Sequence, residues 1–278
     1  MGGGGLLVLK LDTTPMTIVG EYGDQVVNGA GCGGVEAKGT IYINAGVSAG
    51  GGGNVHSTFS LYAFQDELFS VDSTPSQNIP QPETVFKDEG NTQTLGNNFG
   101  DPQNISGQKP VESTRRDAHG AGVTINGRYV HVADRIQNVI EVFDTKSNEH
   151  VNTYDLVSVD GQSGIGNPGP CLARSVTDDM GLDVNDPAPD LFQITPDGRY
   201  FAVAFRGPAP VTVRHSAQGS CPGVGIVEIT EGGRSGRLVD VLRSSNTIDT
   251  VTVNDMPGGH AYTGAERSDI HGAIVIPK

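Results

Sequence analysis

The sequence predicts an all-β protein with the architecture of a β-propeller. The chain has 40 glycines and 16 prolines among 278 residues, and only 18% of its residues are charged. Short β-branched and aromatic runs alternate with Gly, Asn, Asp and Pro clusters, which indicates many short strands joined by turns. No window shows the sustained 3.6-residue periodicity of a helix. A hairpin unit that recurs along the chain predicts a β-propeller in particular.

The repeating unit begins with a hairpin of two strands, A and B. Its copies read GGVEAKGTIYINAG, GAGVTINGRYVHVADR and LFQITPDGRYFAVAFR, with turn glycines at Gly39, Gly127 and Gly198. An apolar β-branched residue stands four positions before each glycine, and an alternating apolar run follows it. Asn-Gly and Asp-Gly favour tight hairpin turns because both residue types tolerate positive φ.

A second hairpin, of strands C and D, follows strand B. It reads NVIEVFDTKSNEHVNTYDL over residues 138–156 and GIVEITEGGRSGRLVDVL over residues 225–242, and STFSLYAF supplies a third strand C. The N-terminal GLLVLKLDTTPMTIVGEYG matches the same hairpin, with Asp12 in the place of Asp144. Repeated four-stranded antiparallel units predict propeller blades. We expect three full blades and parts of a fourth. Either the C-terminal strand joins the N-terminal pair to close a ring, or the chain is a portion of a larger propeller; the lack of a strand B in the closed arrangement favours the second.

The repeat resembles the YVTN-type and lactonase-like propeller superfamily. In that family the pattern G-x-x-V/I-T-x-x-G-x-Y-V-x-V-A-D/N…I-x-V-x-D-T recurs in each blade. Repeats that resemble this pattern cover most of this chain. The resemblance implies a propeller fold. It leaves function open among surface proteins, lactonases and metal enzymes, because one fold supports many activities.

The spacing of the repeats predicts one domain, 1–278, with long loops on a single face. Its turn glycines are farther apart than the ~40–50 residues of a typical blade, so insertions must fill the difference. The B–C loops and D-to-A connections all return to the face where strand A begins. The long insertions are residues 72–116, 157–189, 207–223 and 244–268. Loops concentrated on one face predict a small-molecule or anionic ligand there.

A motif, Arg-x-Asp-x-His-Gly, occurs twice and carries the candidate site. His119 and His271 stand eight residues before a turn glycine or its extrapolated place, and Asp190 has the same register. Two imidazoles and a carboxylate form a common ligand set for Zn, Fe or Mn. Arg135 and Arg206, eight residues after the glycine, are expected farther out, where they would suit an anion. Both arginines and both histidines are the candidate catalytic residues.

The same motif also permits a structural interpretation. Asp117 would hold the imidazole of His119, and Gly120 would allow close packing, a structural use like that of the Gly-His pair in WD repeats. The first repeat has Gly31 at the register position and offers no donor there. Both interpretations remain open from the sequence alone.

An acidic stretch, DDMGLDVNDPAPDLF, is a second candidate site. Hard oxygen ligands at this density suit Ca²⁺. The alternative is a solvated loop in which Asn and Asp form turns. The residues concerned are Asp178, Asp179, Asp183, Asn185 and Asp186.

The charge and the cysteine content limit the cellular locations and the classes of partner that the sequence supports. The net charge of −14 argues against nucleic acid, whose phosphates would repel it, and no apolar run approaches the roughly 20 residues of a membrane span. The N-terminus does not read as a signal peptide. The acidic composition and the Asn104-Ile105-Ser106 triplet nevertheless favour an extracellular or periplasmic protein. A disulfide between Cys171 and Cys221 fits the predicted topology and would leave Cys32 as a free thiol.

Two classes of function follow. The first is a metal-assisted hydrolase of the lactonase or esterase type, in line with the family resemblance. The second is a non-catalytic ligand- or protein-binding surface propeller in which the His-Gly motifs are structural.

Overall fold

The structure of the protein is a computed structural model that describes the strands and their tight turns. The described residues are 5–23, 26–27, 30–46, 59–69, 79–88, 116–135, 139–156, 176–177, 183–184, 187–207, 222–244 and 270–276. In these ranges there is no α-helix, only 3-10 turns at Asp66–Leu68 and Glu231–Gly233. Accordingly, no helix in the described part of the chain has the length and apolar character needed to cross a membrane.

Three four-stranded antiparallel sheets form the body of the fold. The first contains β3 (Ala30–Ala37), β4 (Thr40–Gly46), β5 (Phe59–Gln65) and β6 (Glu83–Asp88). The second contains β7 (Ala118–Val123), β8 (Tyr129–Asp134), β9 (Val139–Asp144) and β10 (Glu149–Asp155). The third contains β13 (Ala188–Ile194), β14 (Tyr200–Arg206), β15 (Gly223–Thr230) and β16 (Ser235–Arg243). Two smaller pairs are β1 (Gly5–Lys10) with β2 (Thr17–Gly23) and β11 (Val176–Thr177) with β12 (Asp183–Val184).

The strand order within each sheet is that of a propeller blade. Every four-stranded sheet runs in sequence order, so each strand pairs only with its neighbours along the chain. The pair β1–β2 matches strands C and D of a further blade, and residues 270–276 extend beside β13 in the place of a strand A. The predicted all-β propeller, with three full blades and parts of a fourth, is therefore confirmed.

The first blade contains an outer strand that the sequence analysis missed. Residues 72–116 were predicted to be one connection, but β6 lies within them and pairs with β5. Its apolar residues Val85 and Phe86 are adjacent rather than alternating, so the period-2 pattern is absent. A register shift between Leu61 and Tyr62 accommodates them, and both are partly buried against the first two blades.

The turn chemistry of the repeat explains why the A–B hairpins are so regular. Gly127 and Gly198 have φ of 66° and 70°, a region that favours glycine. In the second blade the backbone N–H of Tyr129 donates to the hydroxyl of Thr124 at 3.0 Å. The third blade repeats this bond between Tyr200 and Thr195 at 3.0 Å. The Thr-x-x-Gly-Arg-Tyr motif therefore closes the hairpins of the second and third blades with the same side-chain bond.

The inner strands of successive blades pack closely against one another. A Cβ on Gly120 in β7 would overlap the carbonyl oxygen of Asp190 in β13, and a Cβ on Gly33 in β3 would overlap that of His119. Beyond β13, the N–H of Leu191 donates to the carbonyl of His271 at 3.3 Å. Glycine is needed at these contacts because a side chain would separate the blades. The starts of the inner strands, which carry the repeated motif, are thus brought together.

Apolar side chains fill the space between the blades. Phe59 of β5 stacks near Phe143 of β9 with ring centroids 6.3 Å apart. Between the second and third blades, Phe201 packs 4.9 Å from the ring of His131. These rings are buried, and their removal from water is the main stabilising term in such cores. The packed blades form the rigid support for the side chains at the channel mouth.

Candidate metal centre at the channel mouth

Three predicted site residues meet at one point. The Nε2 atom of His119 lies 2.8 Å from Oδ1 of Asp190 and 3.2 Å from Nε2 of His271. The Nε2 atom of His271 lies 3.6 Å from the same Asp190 oxygen. Each residue therefore offers a ligand-type atom to a common centre. The register argument from the sequence located all three side chains.

The three side chains come from three neighbouring inner segments. His119 is near the start of β7, Asp190 is near the start of β13, and His271 lies in the extended segment 270–276. This arrangement arises because the position eight residues before the turn glycine recurs at the start of strand A in each blade. The corresponding position on β3 is Gly31, which contributes no side chain.

The centre is buried on one side and open on the other. His119 and Asp190 are buried, whereas the side chain of His271 is 51% exposed. Within the described residues, the centre is therefore most exposed on the side of His271.

Oδ1 of Asp190 is a buried acceptor that faces both imidazoles. It lies 2.8 Å from Nε2 of His119 and 3.6 Å from Nε2 of His271. Buried polar atoms in native proteins are nearly always satisfied. A hydrogen bond from His119 or a cation shared by the three side chains would satisfy this oxygen.

Arg135 and Arg206 do not lie farther out, as the sequence analysis expected. They are 2% and 0% exposed, and both point at the other oxygen of Asp190. Nη1 of Arg206 lies 3.0 Å from Oδ2 and Nη1 of Arg135 lies 3.5 Å from it. Position along strand B was predicted correctly, but the direction of the side chains was not. These buried guanidinium groups support the carboxylate and do not face a solvent-borne anion.

Asp117 holds an arginine in place. Its carboxylate accepts hydrogen bonds from Nε and Nη2 of Arg135 at 2.8 and 2.7 Å, and its carbonyl accepts one from the backbone N–H of Arg135 at 3.1 Å. The structural interpretation had assigned this carboxylate to the ring of His119. The Arg-x-Asp-x-His-Gly motif therefore contains a clamp for Arg135 next to the imidazole.

Burial and neighbouring charges set the ionisation of the centre. Burial, together with the positive charge of Arg135, lowers the pKa of His119 below its ordinary 6.5. Burial alone would raise the pKa of Asp190, but the neighbouring His119 and the guanidinium groups of Arg135 and Arg206 outweigh it and hold that pKa well below its usual range. At neutral pH the centre thus presents a neutral imidazole and an ionised carboxylate, the forms that bind metals.

Two supporting groups escaped the sequence analysis. The side-chain amide of Asn44, buried on β4, donates to the backbone carbonyl of His119. Arg116 lies 2.9 Å from Asp88 and 2.5 Å from Asp134, and it also contacts Glu141. An Arg-Asp pair directly before strand A was the signal for the Arg116 cluster, whereas nothing in the sequence distinguished Asn44.

His131 is a buried structural residue on strand B, in agreement with its alternation in the sequence. Its Nε2 atom lies 2.8 Å from the carbonyl of Gly233 and its Nδ1 atom lies 3.0 Å from the hydroxyl of Tyr154. A neutral ring that donates from Nε2 and accepts at Nδ1 satisfies both contacts. Burial lowers the pKa of His131 to about 4.

Other predicted features lie largely outside the described residues. Of the candidate calcium loop, only Asp183 is described, and it forms part of the short strand β12. Asp178, Asp179, Asn185 and Asp186 are not described, nor are Cys171 and Cys221 of the predicted disulfide. The same holds for most of the predicted long loops. These features remain predictions.

The sheet order and this centre define a propeller with a histidine–carboxylate cluster where β7, β13 and the segment 270–276 meet. Neither a family model nor a curated protein matches the chain. Among solved structures it is similar to the periplasmic gluconolactonase PpgL of Pseudomonas aeruginosa, with 12% identity and a TM-score of 0.47, covering 92% of this chain and 54% of that one.

Two further solved structures show similar likenesses. A luciferin-regenerating enzyme has 11% identity and a TM-score of 0.40 over 98% of this chain and 76% of its own. The propeller domain of Swd1 from Myceliophteria thermophila has 8% identity and a TM-score of 0.31 over 81% and 43%. This chain spans about half the length of the Pseudomonas protein. At these identities and scores, nothing about the activity of this chain follows from the likenesses.

Proposed function

We propose that His119, Asp190 and His271 bind one divalent metal ion and that the protein is a metal-assisted hydrolase of lactones or esters. The observation that carries the metal site is the convergence of three donor atoms from three inner segments, 2.8 to 3.6 Å apart. The hydrolase assignment rests further on the resemblance of the repeat to lactonase-like sequences and on the open side of the centre.

The separations of the donor atoms suit a single ion. With metal–ligand bonds of about 2.1 Å, neighbouring ligands are about 3.0 Å apart in octahedral and about 3.4 Å apart in tetrahedral geometry. The observed range of 2.8 to 3.6 Å brackets both values.

Three protein ligands with an open side are the usual arrangement of a catalytic rather than a structural metal site. His271 is half exposed, and Gly31 adds no fourth side chain at its register position. When bound, a divalent ion would polarise a carbonyl oxygen or lower the pKa of a bound water. The chain itself supplies two imidazoles and a carboxylate and orients them from buried strands. A small substrate would approach from the face where the long loops are predicted.

The acidic composition supports an extracellular or periplasmic setting for this activity. Zn, Fe and Mn suit the two imidazoles.

An activity assay with metal removal and restoration tests the hydrolase. Purified protein would be treated with a chelator, reloaded with Zn²⁺ or Mn²⁺, and assayed on a panel of sugar lactones and aryl esters. We expect turnover only in the reloaded protein and none in the His119→Ala variant, whereas His150→Ala, a partly exposed histidine on β10, retains it. Hydrolysis that continues at full rate in the chelated protein would contradict the proposal.

A non-catalytic binding propeller is the second candidate, and the buried arginines favour it. Arg135 and Arg206 are both committed to carboxylates, so among the described site residues only His271 is substantially exposed. Metal binding without turnover on any lactone or ester would support this alternative.

A further inference from the structure

We infer that Arg206, supported by Arg135, restricts Asp190 to one-oxygen ligation and so makes the centre select Zn²⁺-like ions over Ca²⁺. This inference rests on the proposed metal centre and specifies its ion. It assigns Arg206 as a positioning residue that acts through the carboxylate and does not itself touch the ion.

The two oxygens of Asp190 face different partners. Oδ1 is directed to the imidazoles, 2.8 Å from His119 and 3.6 Å from His271. Oδ2 is directed to the guanidinium groups, 3.0 Å from Arg206 and 3.5 Å from Arg135. A carboxylate fixed in this way presents one oxygen to the centre, and the other is occupied by charge-assisted hydrogen bonding.

The supporting arginines have little freedom to release Oδ2. Arg206 is fully buried at the end of β14, and Arg135 is almost fully buried after β8. Asp117 clamps the guanidinium of Arg135 through two contacts of 2.8 and 2.7 Å. Rotation of the Arg206 guanidinium would break its buried ion pair with Asp190, which is strongly unfavourable. The one-oxygen orientation of Asp190 is therefore built into the blades.

One-oxygen ligation discriminates between classes of divalent ion. Ca²⁺ takes six to eight oxygen ligands and often uses both oxygens of a carboxylate. Zn²⁺ accepts two imidazoles and a single carboxylate oxygen with water in a further position. The centre offers two nitrogens and one available oxygen, so it lacks what Ca²⁺ requires. The arrangement therefore disfavours calcium at this centre.

A ratio of affinities tests the inference. Calorimetric titration of the full chain with Zn²⁺ and with Ca²⁺ gives the two dissociation constants for the wild type and for Arg206→Met. Both ions carry the same charge, so loss of a positive charge affects them alike and the ratio isolates the freed oxygen. We expect the wild type to prefer Zn²⁺ by at least about 100-fold, and Arg206→Met to reduce that preference by about 10-fold or more.

Two further variants complete the test. Arg237→Met removes an exposed arginine that pairs with Glu228 on the third blade and should leave the ratio unchanged. Arg206→Lys keeps the charge with a different reach and should lower the preference less than Arg206→Met; it carries the test if the Met variant does not fold.

The outcomes separate the two proposals. A ratio that is the same in the wild type and both Arg206 variants would overturn the inference while leaving the metal centre intact, as would equal affinity of the wild type for Ca²⁺ and Zn²⁺. Failure of the wild type to bind either ion would overturn the metal centre and this inference with it.

Discussion

The Nε2 atoms of His119 and His271 lie 3.2 Å apart, although 152 residues separate the two positions in the sequence. The contact joins the inner strand of the second blade to the extended segment beyond the third. Asp190, from the blade between them, lies against both rings. The geometry of this centre therefore depends on how closely three successive blades approach at the hub.

Gly120→Ala should disturb both the blade junction and the centre. A Cβ at this position would overlap the backbone carbonyl of Asp190, so β7 and β13 would have to separate. Overpacking of this kind typically destabilises a fold by about 1–3 kcal/mol. Chemical denaturation would measure the loss, and metal titration should show weaker binding. Gly23→Ala is the matched control, because a Cβ there meets nothing within 4 Å. Equal stability of the two variants would show that the blades do not require this close approach.

Asp117→Asn should destabilise the fold through Arg135. The substitution weakens two contacts to a guanidinium that is 2% exposed, and loss of a partner from a buried pair costs about 3–5 kcal/mol. Denaturant unfolding measures the change in free energy. Glu228→Gln, which removes one partner of an exposed pair, serves as the control and should have little effect. A stable Asp117→Asn protein would mean that Arg135 does not depend on this clamp.

Stability should fall in mild acid because of His131. Its folded-state pKa is about 4, below the ordinary 6.5, so the unfolded state binds the proton first as the pH falls. The contribution is fully present above pH 6.5 and is lost between about pH 6.5 and 4, amounting to about 3 kcal/mol. His131→Gln should lack this component. Parallel stability curves for wild type and variant from pH 7.5 to 4 would exclude His131 as the cause.

The segment 270–276 should become protected when metal binds. In the described part of the chain it has no strand partner, and its hydrogen bonds to β13 are those of His271 with Leu191 and of Val275 with Gln193. Binding of an ion by His271 would add a strong link to the buried strands and so couple metal binding to ordering. Hydrogen exchange of these amides should slow on addition of Zn²⁺ in the wild type but not in His271→Ala. Unchanged exchange in the wild type would contradict a ligand role for His271.

Repeat register made much of this architecture predictable. Turn glycines such as Gly127 and Gly198 fix the ends of strands A and B, because positive φ is required at those turns. Their spacing from these glycines predicted that His119 and Asp190 lie at equivalent starts of strand A. Their convergence then follows from the repetition of the blades. The outer strand β6 was not predictable in this way, since Val85 and Phe86 are adjacent and require a register shift to pack.

The side chains that support the centre could not be predicted from their positions in the repeat alone. A position at the end of strand B does not determine whether an arginine turns outward to solvent or inward to a carboxylate. For Arg206 the direction is decided by its buried ion pair with Asp190, which lies on a different strand. Asn44 likewise acquires its role only when β4 is packed against β7 and its amide meets the carbonyl of His119.

Metal stoichiometry measured by elemental analysis after dialysis against Zn²⁺ or Mn²⁺ tests the central claim most directly. The wild-type chain should retain one ion per molecule, His119→Ala should retain none, and His131→Ala on strand B should still bind one. Full retention of the metal by His119→Ala, or a wild type that never binds an ion, would contradict the account. Either result would indicate that the His-Gly pair has a structural role between blades.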